Sequence, residues 1–100
     1  MPPAGSPRRK RPRFAVDRAV KIHVGNSTML ARILDISAGG ARIRCATSDW
    51  MPAQIEVEDA KGGRYRATVE WRGKSVIGVR WLDGGPPLPS SAVFGRRERK

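Results

Sequence analysis

Six short runs of alternating apolar and polar residues crowd into positions 15–82, and no stretch of helical periodicity separates them. Side chains of a strand point alternately to opposite faces, so a period of two marks a strand with one face buried. Val20, Ile22 and Val24 alternate with Lys21 and His23, and Gly25-Asn26-Ser27 then turns the chain. A second run, Thr28 to Ile36, is richer in apolar residues and alternates less cleanly around Arg32. Ser37-Ala38-Gly39-Gly40 breaks it. The third run sets Ala41, Ile43 and Cys45 against Arg42 and Arg44. After a loop holding Asp49, Trp50 and Pro52, Ile55 and Val57 alternate with Glu56 and Glu58. Lys61-Gly62-Gly63 has the composition of a hairpin turn. In the fifth run Tyr65, Ala67, Val69 and Trp71 fall on the inward face, with Arg64, Arg66, Thr68, Glu70 and Arg72 outward. Gly73-Lys74 leads into the last run, where Ile77, Val79 and Trp81 share a face.

Links this short demand antiparallel neighbours, because a parallel crossover needs a dozen or more residues. An open six-stranded sheet would leave two edges and one apolar face uncovered, and closure removes both problems. The reading is therefore an all-β fold, a small six-stranded antiparallel β-barrel over residues 15–82. Residues 1–14 read as a flexible basic arm, with four prolines in the first twelve positions. Residues 83–100 read as a Pro/Gly-rich basic tail, with a short helix expected from Ser90 or Ser91 toward Lys100 on a thin apolar face.

The 100-residue chain suits one domain, and its formal charge of +11 is unevenly placed. Residues 1–13 carry +5 and residues 96–100 carry +3, so the body between them carries only +3. The excess points toward a polyanion, a phosphorylated ligand or an acidic membrane surface, and its distribution argues against a basic groove running across the whole fold. Cys45 has no partner for a disulfide, and one Cys with one His makes no all-protein zinc site. No apolar run is long enough for a membrane helix, and the basic N-terminus lacks the apolar core of a secretory signal. A cytoplasmic location is expected.

Two motifs carry the functional argument. Asp35-Ile36-Ser37-Ala38-Gly39-Gly40 forms a D-x-S-x-x-G pattern at the end of the second run. Arg9-Lys10-Arg11-Pro12-Arg13 forms an R-x-x-x-R pattern directly before the first hydrophobic residue. In this order, about twenty residues apart and set among six strands, they resemble the PilZ domain family. Gly78-Val79-Arg80-Trp81 is similar to that family's closing strand. The resemblance runs from about Arg8 to Leu82 and implies a noncatalytic receptor for the bacterial second messenger cyclic di-GMP, with no cofactor.

By that resemblance Arg9, Arg13, Asp35, Ser37 and Gly40 are the binding residues, with Arg8, Gly39 and Arg42 in secondary roles. The chemistry agrees. An arginine fork can pair with guanine O6 and N7, grip a phosphate or lie on a base. A carboxylate accepts from guanine N1 and N2, and a serine hydroxyl with nearby N–H groups meets a phosphate oxygen. Gly40 permits either a positive φ or a close approach of ligand to backbone. The resemblance further implies that the arm folds over bound ligand and presents a changed surface to an effector protein. Arg8, just ahead of the motif, favours a stacked pair of ligands.

Plainer readings stand beside these. Asp35 and Ser37 also suit an Asx or Ser turn, and Arg42 and Arg44 an ordinary polar face. Cys45 belongs with the core, and His23 lies outward with no acidic partner near it in sequence. Trp50 sits in a loop and is the aromatic expected to face solvent. The alternatives are a basic β-barrel that binds nucleic acid and a degenerate PilZ domain acting as an adaptor. Nucleic acid is disfavoured by the modest charge of the body. An enzyme is disfavoured by the lack of any Ser–His–Asp, metal-ligand or paired-carboxylate pattern.

Overall fold

The computed structural model describes residues 12–89, which form β1 (Phe14–Val24), β2 (Ser27–Ile36), β3 (Gly40–Arg44), β4 (Gln54–Glu58), β5 (Arg64–Gly73) and β6 (Val76–Trp81). They close into a barrel in the order β1-β2-β3-β6-β5-β4, with every pair antiparallel. Arg8, Arg9 and the expected C-terminal helix lie outside the described residues.

The alternating apolar positions meet inside. Ile22, Ile33, Ile36, Ile43, Val57 and Ile77 are fully buried. Each such side chain contributes about 1.5–3 kcal/mol when taken out of water. Cys45 joins them, and burial pushes its thiol pKa up, which suits a core residue and not a nucleophile. A 3₁₀ turn at Ser48–Trp50 leads into buried Met51. Ser48 Oγ donates to the Gly73 carbonyl at 2.7 Å, and Arg72 Nε donates to the Met51 carbonyl at 2.8 Å. Trp50 on this turn is exposed. After β6 the chain returns along the wall, with Arg18 Nη1 donating to the Pro87 carbonyl at 2.9 Å and Leu88 packed on the core.

One residue gains a contact that distance in sequence hides, and one assignment from the sequence needs correction. His23 does have an acidic partner, supplied by the strand across the barrel seam. Its Nε2 lies 2.7 Å from Glu58 Oε1, while Nδ1 lies 3.0 Å from Thr28 Oγ1. The β1–β4 pairing spans only Lys21–His23 against Glu56–Glu58, so this contact sits on the shortest seam of the barrel.

Trp71 is not inward. It is 46% exposed because β5 carries a bulge: Val69 pairs with Val79, but Trp71, two residues on, pairs with Gly78. The extra residue shifts the alternation, so Glu70 and Trp71 both face out.

Closure depends on Gly40. Its partner is Arg80, and a Cβ at Gly40 would collide with the Val79 backbone carbonyl. Backbone cannot swing aside as a side-chain tip can. Gly40→Ala is expected to cost about 1–3 kcal/mol through overpacking, lowering Tm by about 4–8 °C for each kcal/mol in a domain of this size. Thermal denaturation checks it, and an unchanged Tm would contradict the close approach.

Glu58 is held below the ordinary glutamate range first by the His23 hydrogen bond, with Arg64 and Lys21 adding attraction. A carboxyl depressed on folding stabilises the protein above its unfolded pKa and loses that contribution as pH falls through the folded value. Acid unfolding of Glu58→Gln is therefore expected to be flatter than wild type across the carboxylate range. Identical slopes would show that the seam contact contributes nothing.

Candidate functional site

The site begins at a second bulge. Ile33 pairs with Ile43 facing inward, yet Asp35, two residues on, pairs with Arg42, the very next position before Ile43. Leu34 is the extra residue, and it lets Asp35 face the outer wall while Ile33 and Ile36 stay buried. Asp35 Oδ1 accepts from Arg13 Nη2 at 2.9 Å, and Oδ2 accepts from Arg42 Nε at 2.6 Å. The carboxylate is only 13% exposed beneath these two guanidinium groups.

The chain then turns through Ser37–Gly40. Ser37 N–H donates to the Gly40 carbonyl at 2.8 Å, and the Ser37 hydroxyl donates to the same carbonyl at 3.3 Å. That hydroxyl in turn accepts from the N–H groups of Gly39 and Gly40 at 3.3 and 3.2 Å. Ser37 is buried, and its hydroxyl is committed to the turn. The Gly39 carbonyl accepts from Trp81 N–H at 2.9 Å, which pins the turn to the end of β6. Gly40 has no positive φ; its small size serves the close approach of β6.

Across β6 lies the outward face of the β5 bulge. The Trp71 indole rests on Gly78, where any Cβ would overlap its pyrrole ring, and its far edge lies against Gly73. Glu70 Oε2 accepts from Arg80 Nε at 2.9 Å. Between these walls runs an open cleft of about 510 Å³ whose lining includes Arg13, Ser37, Arg42, Glu70, Trp71 and Arg80. Its size falls within the range of about 300–1,000 Å³ common for small-molecule sites. Three guanidinium groups face two carboxylates here, so the field favours an anion.

A family model described as PilZ domain matches residues 7–88. The chain belongs to the PilZ domain family. No curated protein matches the chain. PilZ domains are generally receptors for cyclic di-GMP and are typically noncatalytic.

The PilZ match spans both sequence motifs and the cleft. Of the residues named from the sequence, Arg13, Asp35, Ser37, Gly39, Gly40 and Arg42 come together at one end of β2 and β3. Arg8 and Arg9 lie outside the described residues, beyond Arg13. Three cleft residues escaped the sequence reading: Glu70, Trp71 and Arg80. A signal for them existed. A two-residue turn at Lys74-Ser75 pairs Gly73 with Val76 and hence Trp71 with Gly78, which has the opposite parity to inward Ile77 and Val79.

Because the Ser37 hydroxyl closes its own turn, Ser37→Ala is expected to lower stability by about 0.5–1.5 kcal/mol, the net worth of an ordinary hydrogen bond. Denaturant unfolding measures it. A variant as stable as wild type would free the hydroxyl from this structural role.

Proposed function

We propose that this PilZ domain is a noncatalytic receptor for cyclic di-GMP. The observation that carries the reading is the Arg13–Asp35 ion pair, which joins the last arginine of R-x-x-x-R to the first residue of D-x-S-x-x-G at the rim of an anion-favouring cleft. Two motifs 22 positions apart thereby serve one site.

Asp35 acts first on its own chain. It holds Arg13 and Arg42 side by side, offsetting the repulsion that would otherwise drive two cations apart. A ligand phosphate or guanine edge then takes up their remaining N–H donors. Asp35 itself keeps lone pairs for guanine N1 and N2. Arg9, four residues before Arg13 on the same arm, would wrap the ligand together with Arg13 from one side. Closure of the arm residues over the ligand would convert binding into a new surface for an effector protein.

The sign of one substitution separates this reading from general nucleic-acid binding. Asp35→Ala makes the protein more basic, so a binder that relies on phosphate attraction keeps or gains affinity. A receptor that needs Asp35 to set its arginines loses at least about tenfold, the loss typical of a charge-assisted contact. Titration calorimetry with cyclic di-GMP at moderate salt, on wild type and Asp35→Ala, makes the test and gives the stoichiometry. Equal, salt-sensitive binding by both proteins would overturn the receptor reading and favour a nucleic-acid-binding barrel. No binding by wild type would leave an adaptor that has lost the ligand.

A further inference from the structure

We infer that the turn carrying Trp50 docks the barrel on an anionic membrane surface, with the indole among the lipid headgroups and nearby cations on lipid phosphates. The strand order puts three connections at one end of the barrel: the Gly25-Asn26 turn, the segment from Cys45 to Ala53 and the Lys74-Ser75 turn. The Ser37–Gly40 turn and Arg13, just before β1, belong to the other end. The inference is therefore independent of the cyclic di-GMP reading.

Trp50 is 53% exposed, and that exposure is built into the turn. Ser48 and Met51 on either side of it are buried. Trp50 N–H donates to the Thr47 carbonyl at 3.2 Å, and Met51 N–H donates to the Ser48 carbonyl at 3.4 Å. Ser48 Oγ and the Met51 carbonyl tie the same turn to Gly73 and Arg72 of β5. Cys45 N–H adds a bond to the Ser75 carbonyl at 3.0 Å. An indole on so fixed a mount cannot fold back to cover itself, and water over its apolar face costs free energy.

The surroundings select the occupant. Arg44, Arg72 and Lys74 are exposed at this end, and among the described residues none of them has an ion pair. Asp49 is the one acid in the three connections. Among the described residues the other exposed large hydrophobics stand elsewhere, Leu30 on the outer wall of β2 and Trp71 at the cleft. A protein interface surrounds its anchors with contiguous contacts that exclude water. One indole beside unpaired cations matches a bilayer interface instead. There tryptophan settles at headgroup level with its ring apolar and its N–H wet, and Lys and Arg meet anionic lipid. The +5 and +3 carried by the chain's two ends add long-range attraction of the same sign. A contact made this way is reversible and weakens with salt.

The full chain is mixed with vesicles of phosphatidylcholine alone and of phosphatidylcholine with phosphatidylglycerol, as wild type, Trp50→Ala, Trp50→Phe and Lys74→Ala. Cosedimentation gives affinity, and tryptophan emission reports the surroundings of the indole. Wild type is expected to prefer the anionic vesicles, to shift its emission to the blue and to be quenched by brominated lipid. Trp50→Phe is expected to lose the shift and the quenching while keeping most of its affinity. Trp50→Ala is expected to bind about tenfold more weakly, as removal of a large apolar side chain from the interface requires. Lys74→Ala is expected to bind about fivefold more weakly. Both positions are exposed, and a melting curve of each variant separates lost binding from lost folding. Equal binding by wild type and Trp50→Ala with unchanged emission would assign the attraction to the basic ends alone and overturn the docking. Folded wild type that ignores anionic vesicles would overturn it as well, and leave Trp50 to a protein partner. Neither result bears on cyclic di-GMP binding, which is read separately by calorimetry.

Discussion

The barrel depends on how closely β6 can approach the start of β3. Gly40 has no side chain, and the Val79 carbonyl occupies the space where one would be. That contact lies on one of the two seams that join strands not consecutive in sequence, β3–β6 and β1–β4; β3 is followed by β4 and pairs instead with β6. The Gly39 carbonyl extends the same join by accepting from Trp81 N–H. Everything at the cleft follows from this approach. It brings the Ser37–Gly40 turn against Arg80, and it carries the β5–β6 hairpin, with Trp71 on its outer face, to the opposite wall. The glycine of D-x-S-x-x-G is therefore a geometric requirement of the fold before it is anything to a ligand.

Charge at the site is gathered, not spread. The body between the basic ends carries +3, no more than an ordinary domain, yet Arg13 and Arg42 converge on one carboxylate and Arg80 stands across the cleft. Without Asp35, two guanidinium groups would have no shared reason to stay together, and each would swing to water. An acidic residue in an anion site looks paradoxical by charge count alone. It makes sense once positioning is separated from attraction: the carboxylate removes one unit of charge and returns two oriented hydrogen-bonding forks.

The sequence and the structure agree where alternation runs unbroken. Val20 and Ile22 in β1, Ala41 and Ile43 in β3, Ile55 and Val57 in β4 are buried as period two requires, and the closed antiparallel barrel follows from their number and short links. Disagreement is confined to positions where the count slips or the partner is distant. Tyr65, Ala67 and Val69 set a parity that points Trp71 inward, and the Glu70 bulge breaks it. His23 lacked an acid because Glu58 is 35 positions away, and only barrel closure brings it near. Ser37 showed a motif without showing whether its hydroxyl faced a ligand or its own turn, and a short turn satisfies itself first.

Those slips are not noise in an otherwise regular barrel. β2 and β5 flank the β3–β6 seam, and each carries one extra residue at the point where it passes the cleft. A strand with perfect alternation can offer the outer wall only every second residue, and the residues it offers are fixed by which ones the core needs. A single insertion breaks that bond. On β2 it frees Asp35 to face Arg42 while Ile33 and Ile36 both remain buried; on β5 it frees Glu70 and Trp71 together while Val69 stays inside. The core keeps its isoleucines and valines, and the cleft receives a carboxylate from one side and an aromatic with a second carboxylate from the other. Binding chemistry on so small a barrel is thus aimed by two local departures from the regularity that builds it.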